Sequence, residues 1–595
     1  MLRPQSNEVR QILSLDGFWD FQPDPENEGT REGWIGGLPS PRPIAVPASW
    51  NDQLTELRDY LGPAWYVTHF ILPGDWQKDA LSIRFDSVSY AAEVWLNGER
   101  LGTHEGGHLP FAFHVNGNIR AGDNLLAVRV DGELAPDRVP PGNVPADPQD
   151  TFPSSPPFPN TSYDFFPFCG IHRPVRLCRV PKEGIADVRI TTAIEGHTAT
   201  VNVVLECEPG GSRMARVRLT GHGHDSVTDV PVSSDRAFAS ITVAQPALWA
   251  SETPSLYDCE IQLLRGGEAF DSYTVPVGIR TVSIGANRIL LNGQPVYLKG
   301  FGRHEDFPVT GRGLVPAVIV RDFDIMRWVG ANSFRTTHYP YSEEMMDLAD
   351  RLGFLVIDET PAVGLYFSGD GLARRSELCA RFTRELIERD KNRPSVIAWS
   401  LANEPHSRRP GAAHFFRPLV DMARSLDPSR PVTIVSQVGV EEESFAFCDF
   451  LCLNRYYGWY TESGRIDEGC RRLSEELDAL HEKFNKPILL SEFGADTIAG
   501  VHAQPPEMFS EEYQAEFIER SIDILRGKPW VAGEHIWNLC DFKTGQAVHR
   551  VGGMNLKGVF TRDRRPKMAA HMLRRLWRSE TLDASTDAVG RFPLR

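Results

Sequence analysis

The 595-residue sequence predicts two β-sandwiches, a jelly roll and then an immunoglobulin-like domain, followed by a (β/α)8 TIM barrel. Three observations predict this order. Residues 1 to about 181 alternate apolar and polar residues between Gly, Asn and Asp turns. Residues 182 to about 283 carry short strands at regular spacing. From 284 to 595, apolar runs alternate with amphipathic helical runs. A chain of this length needs several cores, and 41% hydrophobic with 24% charged residues supports globular ones.

In the first region, residues 81–115 form alternating strands, and Asn97-Gly98 is a strong hairpin signal. Residues 123–132 give another half-buried strand. Residues 135–168 are rich in proline and predict a long irregular loop, which in a compact region is disordered or functional. It runs into SYDFFPFCGIHRPV, whose aromatic density argues for order. In the second region the strands are DVRITTAI, TATVNVVLEC, MARVRLTG, AFASITVA and YDCEIQLLR, within a sandwich of seven or so. VGIRTVSI leads into the third region.

The third region offers eight strands: VYLKGFGRHE, NSFRTTHYP, FLVIDET, VIAWSLANEP, VTIVSQ, FLCLNRYYGWY, PILLSEFGAD and AGEHIWNLCDF. Most are followed by a helical run, as a parallel barrel requires. Polar residues gather at the strand C-termini: Arg303, His304, His338, Asp358, Glu359, Glu404, Asn454, Glu492 and Asp541. Barrel enzymes keep their chemistry at that end.

Bulk properties narrow the function. The formal net charge is −16 and the pI about 5.6, which disfavours nucleic acid or an anionic membrane as partner. An acidic substrate then needs a local basic site. No run approaches the roughly 18 apolar residues of a membrane span, and the N-terminal residues lack the apolar core of a signal peptide. Nine scattered cysteines form no CxxC pair, which points to a reduced cytoplasmic chain without disulfide framework or zinc site. Cys448 and Cys452 read as two small buried residues. No phosphate loop or nucleotide fingerprint is present, so neither a metal nor an organic cofactor is expected.

The stretch that organises the barrel is VIAWSLANEP. It is apolar where a buried parallel strand should be, and Pro405 ends the pairing just after Glu404. PILLSEFGAD repeats the design with Glu492. Either glutamate alone reads equally well as a barrel-rim ion pair. Two carboxylates at two strand tips can flank one glycosidic bond.

Asn403-Glu404-Pro405 after strand four and Ser491-Glu492-Phe493-Gly494 after strand seven resemble the acid/base and nucleophile motifs of glycoside hydrolase family 2. The order of the three regions is also similar to that family's architecture. FGRHEDF, TTHYPYSEEM, VIDETPAVG, NRYYGWY, HIWNLCDF and KGVFTRDRRPK resemble its β-glucuronidase group more closely. The resemblance implies a retaining mechanism, with Glu404 as acid/base and Glu492 as nucleophile, roughly 5–5.5 Å apart. It implies that Asn403 bonds the sugar 2-hydroxyl and that Tyr456 holds the nucleophile. Asp164, His338, Asn454, Tyr460, Trp537 and Arg550 would line the sugar pocket, with Asp164 reaching in from the first domain. Asn555 and Lys557 would bind the uronate carboxylate. Met554 stands between Gly553 and Asn555, where members of that group have Asn directly after Gly-Gly. The segment 362–375 is short, which implies an open entrance.

The reading is therefore an exo-acting enzyme for a small-molecule β-glucuronide, with homo-oligomers expected by analogy. A β-galacturonidase would share the carboxylate site. A β-galactosidase or β-mannosidase would not need Asn555 and Lys557. A sugar-binding protein on an inactive barrel would not need both glutamates.

Overall fold

The computed structural model describes residues 1–144, 157–369 and 371–583. Part of the proline-rich segment, residues 145–156, and the end of the third region, 584–595, lie outside them, as does residue 370 in the short segment 362–375.

The first region packs a six-stranded sheet on a four-stranded one. The larger sheet runs, in spatial order, Arg42–Val46, Gly17–Pro23, Pro63–Leu72, Gly122–Asp131, Ala91–Leu96 and Glu99–Glu105. The smaller runs Gln11–Ser14, Val175–Val180, Ala80–Phe85 and Phe111–His114. Trp19, Phe21, Trp50, Tyr66, Ile83 and Phe85 fill the space between. Asn97 (φ 55°) and Gly98 (φ 86°) turn the hairpin, as a two-residue turn with both φ positive requires.

The second region has seven strands in sheets of three and four. Arg236–Ala244 shows the driving pattern, with Ala237, Ala239, Ile241 and Val243 buried and the residues between exposed. The strand His224–Pro231 has no buried face and so no apolar alternation to read. A small sheet follows, Val282–Ile284, Ile289–Leu291 and Gln294–Val296. Ile289, Leu291 and Trp249 pack on Leu298, Leu355, Ile397, Val435 and Leu489, closing the N-terminal end of the barrel.

The eight barrel strands close in chain order: Leu298–Gly302, Ser333–Arg335, Leu355–Glu359, Val396–Asn403, Val432–Ser436, Leu451–Asn454, Ile488–Glu492 and Val531–Ile536. Each is buried along its length, apart from the half-buried Lys299, because helices cover the outside and side chains fill the inside. The fifth strand is followed by short 3-10 turns, Gly439–Glu441 and Glu443–Ala446, in place of an α-helix. The first sandwich is stitched to the C-terminal face of the barrel. Arg173 bonds Glu305 at 2.8 Å, the Phe166 N–H donates to the Lys543 carbonyl, and Phe158 and Gln546 exchange backbone hydrogen bonds of 3.0 and 2.7 Å.

All nine cysteines are buried and unpaired, Cys448 and Cys452 among them. No helix among the described residues is long and apolar enough to cross a membrane.

Candidate active site

Parallel strands bring their C-termini to one face, and five strand ends there meet around two carboxylates. Strand four ends at Asn403; Glu404 follows in the left-handed region (φ 42°), so the chain turns away and leaves the carboxyl at the rim. Glu492 is the last residue of strand seven and is 4% exposed.

The two carboxyls have different donors. Glu492 accepts from Arg335 Nη2 through Oε1 and from the Tyr456 hydroxyl through Oε2 (2.7 Å). Arg335, at the end of strand two, is fully buried and also bonds both oxygens of Glu359 at 2.8 Å. Glu404 accepts from the Asn454 amide at 2.7 Å, and the Ser491 hydroxyl orients that amide by donating to its oxygen. Glu404 has no cation within ion-pair reach among the described residues.

Burial pushes Glu492 up to about 8, against the pull of Arg335 and with a further push from Glu404. Burial likewise raises Glu404, and the Asn454 amide opposes it. The two titrate as a pair, and the donor set decides which keeps the proton. A guanidinium and a phenol stabilise the ionised form of Glu492, whereas one neutral amide serves Glu404. The single-proton form of the pair is therefore Glu492 ionised and Glu404 protonated.

His338 Nδ1 lies 3.0 Å from Glu359, and its ring stacks on Trp537 with centroids 4.9 Å apart. Burial lowers its pKa to about 4, against the Glu359 hydrogen bond. A neutral imidazole that donates from Nδ1 to Glu359 presents Nε2 as an acceptor. Nε2 is 3.7 Å from Glu492 Oε1, on the pocket side. Asn403 Oδ1 is 3.2 Å from Arg335 Nη1 and 3.3 Å from Asn454 Nδ2.

A second cluster adjoins the first through the Tyr456 and Tyr460 rings, 5.2 Å apart. Asp164 enters from the first sandwich and receives Arg550 Nε at 2.8 Å and Nη2 at 2.5 Å. Asn555 Nδ2 donates to the same carboxylate at 2.7 Å. Lys557 is fully buried and donates to Asp496 and to the Tyr460 hydroxyl (2.8 Å). Asp496 also accepts the Leu556 N–H at 2.8 Å and lies 3.4 Å from Arg550. Met554 and Asn555 form a two-residue strand on Phe542–Lys543, so the additional residue before Asn555 is carried in a paired segment.

All twelve residues singled out from the sequence thus lie in these two adjoining clusters. The other polar strand ends serve the scaffold. Arg303 pairs with Asp322, Asp541 with Lys567, and Asp358 accepts from Thr336, while His304 packs edge-on to Trp537. Sequence reasoning missed Arg335 as the partner of Glu492 and Asp496 as the partner of Lys557. Arg335 stands inside the quoted NSFRTTHYP and Asp496 ends the quoted PILLSEFGAD. Among the described residues no group of three or more His, Cys, Asp or Glu side chains is arranged to hold a metal ion.

Comparison with known proteins covers nearly the whole chain. The model described as the TIM barrel domain of glycosyl hydrolases family 2 matches residues 282–581. That family's sugar binding domain matches 12–181, and a further model of the family matches 184–280. A β-glucuronidase of Paenibacillus borealis is 40% identical over 97% of this chain and 98% of its own length. The Sus scrofa β-glucuronidase is 38% identical over 97% and 92%. Among solved structures, a β-glucuronidase from an uncultured Clostridium sp. superposes with a TM-score of 0.90 at 39% identity, covering 97% of this chain and all of the other. The Ruminococcus gnavus β-glucuronidase in complex with D-glucuronic acid superposes with a TM-score of 0.89 at 38% identity, covering 97% and 99%.

Proposed function

The chain belongs to glycosyl hydrolase family 2, and from that membership and its site we propose that it is a retaining, exo-acting β-glucuronidase. Ionised Glu492 attacks the anomeric carbon and forms the glycosyl–enzyme ester as the aglycone oxygen takes the proton of Glu404. Glu404, now a carboxylate, draws a proton from water, whose oxygen attacks the same carbon and releases Glu492 with the sugar's configuration retained. Arg335 and Tyr456 keep Glu492 ionised and aimed. Asn403 serves the 2-hydroxyl, and neutral His338 accepts from a sugar hydroxyl above the Trp537 ring.

The observation that carries the substrate assignment is the count of donors left over in the second cluster. An ammonium has three protons. Lys557 gives one to Asp496 and one to Tyr460, which leaves one for a sugar carboxylate. The Asn555 amide gives one proton to Asp164 and keeps the other. Arg550 is committed to Asp164, Tyr460 and Asp496, so its part is to position them. A hydroxymethyl group in place of the carboxylate would gain far less from the free lysine proton.

Rates on chromogenic β-glucuronide, β-galacturonide and β-glucoside test the assignment, together with NMR of the first-formed anomer. The glucuronide should be fastest and its first product β. A faster galacturonide would move the assignment to the 4-epimer, and a first-formed α-anomer would overturn the retaining mechanism. Nine unpaired cysteines suit a reducing compartment, so we assign the enzyme to the cytoplasm. We expect a homo-oligomer, which sedimentation would reveal.

A further inference from the structure

The seam between the first sandwich and the barrel holds a buried arginine with no counterion. Among the described residues the other buried arginines each have a carboxylate or a backbone acceptor, even where one guanidinium nitrogen, as in Arg84, Arg303, Arg335 and Arg375, is unbonded. Arg10, Arg84, Arg173, Arg303 and Arg335 each lie against a carboxylate. Arg280 and Arg375 bond backbone carbonyls. Arg312, on the connection after the first barrel strand, is 4% exposed and has neither. Its backbone N–H is fixed by Ser49 Oγ at 3.0 Å. Among the described residues its guanidinium makes no hydrogen bond or ion pair, and its Nε is fully buried without a partner. Two rings hold it in place: Tyr339, with its centroid 4.3 Å away, and Phe165, at 5.3 Å.

A cavity of about 30 Å³ adjoins this group, lined among others by Arg312, His108, Tyr163, Phe165 and Ser89. That exceeds the roughly 10–15 Å³ one water requires. The lining is rich in donors: the guanidinium, the Tyr163 and Ser89 hydroxyls and the imidazole of His108. His108 Nδ1 is also buried without a partner. Burial holds its pKa far below the usual histidine value, with Arg312 adding to the effect, so the ring contributes one neutral N–H. An isolated buried charge costs several kcal/mol unless something neutralises it. Among the described residues no carboxylate lies within ion-pair reach of Arg312; Glu133 lines the same cavity, together with Arg138.

We propose that Arg312 and this cavity bind one small monovalent inorganic anion, of the chloride class, at the sandwich–barrel seam. The anion neutralises Arg312 and accepts from the surrounding N–H and O–H donors. It acts on the sugar pocket through the chain itself. Tyr163 and Phe165 line the cavity and flank Asp164, whose carboxylate holds Arg550 and Asn555. Anion binding fixes that tripeptide and thereby the position of Asp164. This last link rests on the proposed glucuronidase reading; the site itself does not.

Crystals of the full chain soaked in sodium bromide and measured at the bromine absorption edge test the site directly. An anomalous peak within hydrogen-bond distance of the Arg312 guanidinium is expected, and it should vanish in Arg312→Met. A map with water alone in the cavity, or with bromide only elsewhere on the surface, overturns the proposal. In solution, chloride replacing methanesulfonate at constant ionic strength should lower KM for a chromogenic glucuronide several-fold and saturably in the wild type, and not in Arg312→Met. A bromide peak with a flat KM overturns the link to Asp164 while leaving the site. Should Arg312→Met fail to fold, the bromide map and the chloride titration of the wild-type protein decide on their own. Absence of glucuronidase activity would refute the assigned reaction without touching the bromide result.

Discussion

The two halves of the pocket are built by different means. Arg335, Glu359, Asn403, Glu404, Asn454 and Glu492 stand on the last residue of a barrel strand or the next one. Their backbones are locked in the closed sheet, and their side chains bond one another. Asp164, Tyr460, Asp496, Arg550, Asn555 and Lys557 stand on connections, one of them from another domain. There each cation already has a resident anion, Arg550 with Asp164 and Lys557 with Asp496. The ladder fixes where the bond breaks. On the proposed reading the loops select the sugar, through the few protons their ion pairs leave unused. Recognition can therefore be altered with the reaction machinery intact, and the reverse does not hold.

The largest effects belong to the strand-borne half. Glu492→Ala should abolish nearly all turnover, because no ester can form. Glu404→Ala should cost about 10²–10⁴-fold on poor leaving groups and far less on activated ones. Glu492→Gln removes the negative charge that keeps Glu404 protonated beside it. Glu404 then ionises at lower pH, so its pKa, followed by infrared or NMR titration of the carboxyl, should lie lower in the variant than the upper pKa of the wild-type pair. An unmoved value would show that the two carboxyls do not sense each other.

The loop-borne half should respond in selectivity. Lys557→Ala should lower kcat/KM on the glucuronide by about tenfold to over a hundredfold, the worth of one charge-assisted hydrogen bond. The glucoside rate should barely change. The variant also leaves Asp496 buried with Arg550 at 3.4 Å as its remaining cation, which lowers stability. Lys557→Met combined with Asp496→Asn removes both charges and should recover much of that loss, with selectivity still low. Restored selectivity in the double variant would assign carboxylate reading to another group, Arg550 first.

Asp164→Asn should give the smallest change. The side chain is 41% exposed, so Tm should hardly move. KM should rise several-fold as Arg550 and Asn555 lose their shared acceptor, with kcat little altered. A fall in Tm with unchanged kinetics would make Asp164 a packing residue of the domain seam and blur the division drawn above.

The strand-borne half was also the more legible in sequence. Strand four announces itself by an apolar run that stops at a proline and leaves Glu404 at its tip, and Glu492 follows from the same pattern; the roles of the two came from the resemblance. Arg335 was not legible, because its role requires Glu359 and Glu492 on two other strands. Asp496 was hidden for the same reason, since nothing local says that a lysine 61 positions later needs it. Asn555 and Lys557 were found through resemblance, as Asn-x-Lys alone is an ordinary loop. In the second sandwich, His224–Pro231 escaped because an edge strand without a buried face has no apolar period. The sheet that plugs the barrel floor escaped because three-residue strands are too short to show one.

The contact between Arg550 and Asp164 spans 386 residues of chain. At about 5–20 residues per second on the ribosome, roughly 20–80 s pass between the synthesis of the two. The first sandwich can finish folding in that interval, but its aspartate has no cation to meet. Both glutamates are made before the arginine, so a nascent barrel carries its reactive groups before it carries its selectivity. On the proposed roles, chain order makes substrate discrimination one of the last properties the growing protein acquires.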